Sequence, residues 1–117
     1  MAKTLAYEEL KEMVEKRIAY FKRQAESHYS IAKKIEIETG ADDSWAEGNY
    51  LAAEDYEDLA NDFRDALDVM HNANVYGNCK RFTISRKSGP PKTKYSFWAF
   101  NYDGKVVHSI DVTTYLP

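Results

Sequence analysis

The chain has 117 residues, with 16 Lys and Arg against 19 Asp and Glu, a net charge of −3, 44% apolar residues and a single cysteine. That length and apolar share fit one domain over residues 1–117 with one core, and they exclude wholesale disorder. No apolar run approaches the roughly 20 residues of a membrane span, the N-terminus is acidic where a signal peptide would be apolar, and Cys79 cannot form an internal disulfide. A cytoplasmic location, that of the host cell for a viral chain, is therefore expected.

Residues 4–39 are expected to form a first helix, because Tyr7, Leu10, Val14, Ile18, Phe21, Ala25, Tyr29, Ala32 and Ile35 recur at steps of three or four. Thr39-Gly40 supplies its stop. A narrower stripe of Met13, Tyr20 and Ile31 to one side predicts contact with a second neighbour. Residues 44–76 form a second helix. Ser44 and Glu47 have capping-box spacing, Asp42 and Asp43 suit the helix N-terminus, and Trp45, Ala52, Tyr56, Leu59, Phe63, Ala66, Leu67, Met70 and Ala73 share one face. The short linker implies antiparallel helices.

After Gly77 the period falls towards two. Strands are expected over 80–87, 94–102 and 105–115 within a sheet spanning 80–116, with residues 88–93 a loop around two prolines and Asp103-Gly104 a tight type I′ turn. Phe82, Ile84, Val106, Ile110 and Val112 should cover the helices. The fold class is α+β, a long antiparallel helical hairpin followed by a three-stranded antiparallel β-meander, α-α-β-β-β. Helices of about 46 Å outrun so small a sheet, and their stripes run to both ends, with Trp45 and Phe63 as large anchors. Either the chain forms a homodimer through the hairpin, or a helix breaks and folds back.

The near-neutral total hides a segregation of charge. Residues 1–40 hold 8 Lys and Arg against 7 Asp and Glu, residues 41–76 hold 1 against 10, and residues 77–117 hold 7 against 2, so the segments carry +1, −9 and +5. In the acidic segment Glu54, Glu57, Asp58, Asp62, Asp65 and Asp68 line the solvent side of the second helix. The steps 54, 58, 62 and 65 form a row about 16 Å long. Such a row can substitute for nucleic-acid phosphates and engage a basic groove on another protein. It can also be a solvated face neutralised by Lys22, Arg23 and Lys33. The expected function is a non-enzymatic protein-binding module, an inhibitor or adaptor of a nucleic-acid-handling protein, as in phage or mobile-element counter-defence factors of similar size and charge.

The basic segment offers the alternative, a nucleic-acid or nucleotide binder in which Lys80, Arg81, Arg86, Lys87, Lys92 and Lys94 hold phosphate while Trp98 stacks on a base. No cofactor or metal is expected. A metal-dependent hydrolase is the enzymatic option, with Asp68 and His71 at a suitable spacing, but the second Glu-x-x-His pair of a di-iron bundle is missing. Cys79 lacks any local signature of a nucleophile and reads as structural.

Overall fold

The computed structural model describes residues 4–40, 44–89 and 91–116. Two helices, α1 (Tyr7–Thr39) and α2 (Ser44–Val75), precede three strands, β1 (Arg81–Gly89), β2 (Lys92–Phe100) and β3 (Val106–Thr114), in one antiparallel sheet of order β1-β2-β3. The helices pack against each other as a hairpin. Neither breaks, so the molecule measures 60 × 26 × 18 Å, and its radius of gyration of 17.4 Å exceeds the ~13 Å of a compact chain of 100 residues. No described helix is long and apolar enough to cross a membrane.

α1 begins three residues later than its periodicity suggests. Leu5 instead pairs with Phe82 on the outer edge of β1, with N–H···O distances of 2.7 and 2.9 Å. The sheet captures the lead-in to the helix. Glu9 accepts the Ala6 N–H at 3.1 Å, and Gly40 ends the helix at φ 97° while donating to Glu36 O. At the other junction Ala73 O accepts from both Gly77 N and Cys79 N, and Asn78 takes φ 56° between them. A Cβ at Gly77 would lie 2.9 Å from Ala73 O, so glycine is required there by close approach.

The core lies where the sheet meets the hairpin. Phe63 is fully buried, edge-on to Phe21, Tyr95 and Phe97 at centroid distances of 5.1, 4.9 and 5.3 Å. Leu10, Val14, Met70, Cys79 and Phe82 complete it. Trp45, the other expected anchor, stands 76% exposed, and its neighbour Ala46 takes the buried position. Ala46, Ala53 and Ala60 recur every seven residues along α2, as do Ala25 and Ala32 along α1, and these small residues let the two backbones approach where a tryptophan would hold them apart. Ser44 is the first helical residue, and the aspartates of the expected cap lie outside the described residues.

β1 and β2 run on through most of the expected loop. Ser88 pairs with Thr93 and Gly89 with Lys92, and Pro91 lies in the turn between the strands. In the second hairpin Gly104 N donates to Asn101 O, placing Tyr102 and Asp103 at the turn centre with Gly104 following at φ 80°. The Asn101 side-chain oxygen accepts from both Asp103 N and Lys105 N at 3.0 Å, which selects this longer loop over the two-residue I′ turn. An irregularity follows at Ala99/Phe100, where Val106 comes to pair with Phe100. The extra residue turns Val106 away from the helices, whereas Ile110 and Val112 keep their expected side.

Candidate binding surfaces

Alternation along β2 sorts the sheet into two faces. Thr93, Tyr95, Phe97 and Ala99 are buried towards the helices, while Lys92, Lys94, the buried Ser96, Trp98 and Phe100 lie on the side that no described element covers. The register places Arg81 opposite Phe100, Thr83 and Ser109 on either side of Trp98, and Lys87 opposite Lys94. Arg81 therefore stands beside Phe100 at one end of this sheet face, and Lys87, Lys92 and Lys94 cluster towards the other end, with Lys87 and Lys94 about 13 Å along the strands from Trp98. Lys94 lies 3.8 Å from Asp111, and the Lys92 ammonium stands 5.4 Å from the centre of the Tyr115 ring. Trp98 is 36% exposed, and the Thr83 hydroxyl on the same face is buried without a hydrogen-bond partner.

Two members of the sequence-derived basic set lie elsewhere. Lys80 reaches back to the end of α2, where its ammonium meets the Asn74 carbonyl and side-chain oxygens at 3.3 and 3.4 Å. Arg86 pairs with Tyr95, shares its helix-facing side and lines a crevice with it.

The acidic row is fully formed. Glu54, Glu57, Asp58, Asp62, Asp65 and Asp68 are all exposed on α2, and among the described residues none lies within ion-pair distance of a base. Lys22, Arg23 and Lys33 of α1 form no ion pair with them, although Lys22 and Arg64 line one crevice with Glu57. Among the described residues Glu57 accepts from the Tyr29 hydroxyl at 3.4 Å at the seam of the hairpin. Partial burial, followed by the charges of Asp58 and Asp65, pushes the Asp62 carboxyl above its ordinary pKa.

His71 packs against Tyr7 with the rings tilted by 52° at a centroid distance of 5.5 Å, and no cluster of three His, Cys, Asp or Glu suited to a metal occurs among the described residues. Cys79 is buried, its thiol donates towards Gly77 O at 3.6 Å, and burial pushes its pKa up despite nearby Lys80. Sequence reading passed over Arg17, whose only signal was its place between Met13 and Tyr20 in the secondary stripe. No family model matches the chain, and no curated protein or solved structure is significantly similar to it.

Proposed function

We propose that the chain is a non-enzymatic protein-binding module whose acidic α2 face engages a basic groove on a nucleic-acid-handling protein as an inhibitor or adaptor, the mode used by phage and mobile-element counter-defence factors. The observation that carries this reading is the absence of compensation: six exposed carboxylates on one long helix have no ion pair among the described residues. Such repulsion costs about 0.2–0.5 kcal/mol per like-charged pair, and a cationic groove would relieve it. The test is capture from host extract by the wild type and by a Glu54→Lys, Asp58→Lys, Asp62→Lys, Asp65→Lys variant. The reading expects a partner that double-stranded nucleic acid displaces, that salt weakens steeply and that the variant loses. A partner retained by the variant overturns it.

The second reading, nucleic-acid or nucleotide binding by the open sheet face, is favoured by one observation: Trp98, Phe100, Arg81, Lys87, Lys92 and Lys94 share one face of the sheet, aromatic at one end and basic at the other, that no described element covers. Trp98→Ala and a Lys87→Ala, Lys94→Ala double variant should then abolish mobility shifts of single strands, while the α2 variant leaves them intact. Self-association belongs to the same proposal. Ile31 and Leu51 are 44% and 55% exposed on the part of the hairpin beyond the sheet, and light scattering of Ile31→Glu and Leu51→Glu against wild type reads that contact directly.

A further inference from the structure

The sheet leans on α2 through β2 and β3, whereas α1 meets it chiefly at β1. A crevice is left along the sheet-side flank of α1, and it has two chambers. The first, about 470 Å³, is walled by Leu5, Met13 and Ile84; the second, about 340 Å³, by Tyr20, Tyr56, Thr114 and Leu116. Arg17, Arg86 and Tyr95 line both, so they stand where the chambers join.

Among the described residues neither guanidinium has an ion pair or a hydrogen bond with another side chain. On α1, Glu12 pairs with Lys16 at 3.2 Å, Glu15 with Lys11 at 4.0 Å, and Glu9 accepts the Ala6 N–H. Facing elements thus place two cations along one crevice, and among the described residues neither has a carboxylate within ion-pair distance. Paired guanidiniums match the planar fork of a carboxylate or the oxygens of a phosphate. Beside them lies an apolar chamber whose walls include Met13, 39% exposed, and across the junction lies Tyr20, 43% exposed. These are the two residues of the secondary stripe of α1 that the sheet approaches without covering. Each chamber falls within the ~300–1,000 Å³ range of small-molecule sites.

The geometry points to a binding site for a small amphipathic anion, its carboxylate or phosphate held by Arg17 and Arg86 and its apolar portion lodged among Leu5, Met13 and Ile84. An occupant would neutralise both guanidiniums and cover Met13. The site lies on the sheet side of α1, apart from the carboxylate row of α2, so its test is independent of the protein-binding reading.

The full chain is titrated with octanoate, octyl phosphate, octyltrimethylammonium and inorganic phosphate, followed by amide NMR shifts. Octanoate or octyl phosphate should shift Leu5, Ile84 and Tyr95 saturably, and the tighter of the two identifies the headgroup. Inorganic phosphate should bind at least about tenfold more weakly for want of an apolar portion, and the cationic amphiphile should not shift these residues. Arg17→Gln and Arg86→Gln should each weaken binding about tenfold, the loss of one charge-assisted hydrogen bond. Met13→Trp, at a half-exposed helix position that tolerates bulk, should block the apolar chamber, with thermal melts confirming that each variant folds. Absence of shifts up to millimolar ligand overturns the proposal. So does equal binding of the cationic amphiphile, inorganic phosphate binding as tightly as octyl phosphate, or undiminished binding by the two arginine variants.

Discussion

In the half of the hairpin nearer the sheet, residues 7–21 of α1 and 59–73 of α2 bury Leu10, Val14, Phe21, Leu59, Phe63 and Met70 beneath a third layer. In the outer half, residues 25–39 and 44–56, every buried described position is alanine: Ala25, Ala32, Ala46 and Ala53. The same two helices are therefore held by different physics along their length. Where a sheet covers the groove, large side chains have a volume to fill and bring large burial energies. Where only two helices meet, burial comes from close backbone approach, and polar bridges flank the seam. His28 meets Asn49 at 2.8 Å, the Tyr50 hydroxyl donates to Glu36 at 3.1 Å, and His28 stacks on Tyr56. Hydrogen bonds of this kind contribute about 0.5–1.5 kcal/mol each, less than burying a large side chain, so the outer half should open first.

Phe63→Ala breaks the inner half most directly. Removing a fully buried ring that meets three others should cost about 3–5 kcal/mol, read from denaturant unfolding. Ala53→Leu probes the outer half from the opposite direction, because there a larger side chain must wedge the helices apart. Its cost should be about 1–3 kcal/mol, with amide exchange accelerating in residues 25–39 and 44–56 and little changed near Phe63. Parity of exchange between the two halves in the wild type would remove the contrast altogether. Gly48→Ala should stabilise by up to about 1 kcal/mol, since an added Cβ meets nothing within 4 Å and helix propensity improves.

The smallest effect comes from Asp62→Asn, a few tenths of a kcal/mol. The folded pKa of Asp62 lies above its unfolded value, so the folded chain takes up that proton first as pH falls, and the group's contribution favours folding at acid pH and is lost as pH rises through the folded pKa. The asparagine variant should be slightly more stable than wild type at neutral pH and lack that increment of stability on acidification, which paired melts at several pH values would show.

The sequence carried the element types and their order because periodicity is local. Steps of three and four set both helices, alternation set three strands, and Gly40 and Gly77 lay where helices had to stop. Ends and loops were less legible where partners distant in sequence decide them, as Phe82 does for Leu5, or where one side chain overrules a dipeptide rule, as Asn101 does for Asp103-Gly104. The acidic row was readable in full, since one helix carries all of it. The basic set was only partly so, because strand alternation sends Arg86 to the opposite face and the end of α2 draws Lys80 away.

By itself, then, the sequence determined two helices, three strands and three segments of unequal charge, all products of nearest-neighbour patterning. Tertiary structure decided which apolar positions are covered: an alanine seam in place of Trp45, a sheet set over only half the hairpin, and Arg17 brought to the same crevice as Arg86 across 69 residues of chain. Those outcomes depend on how closely two surfaces approach, and side-chain volume sets that distance only once both surfaces are present.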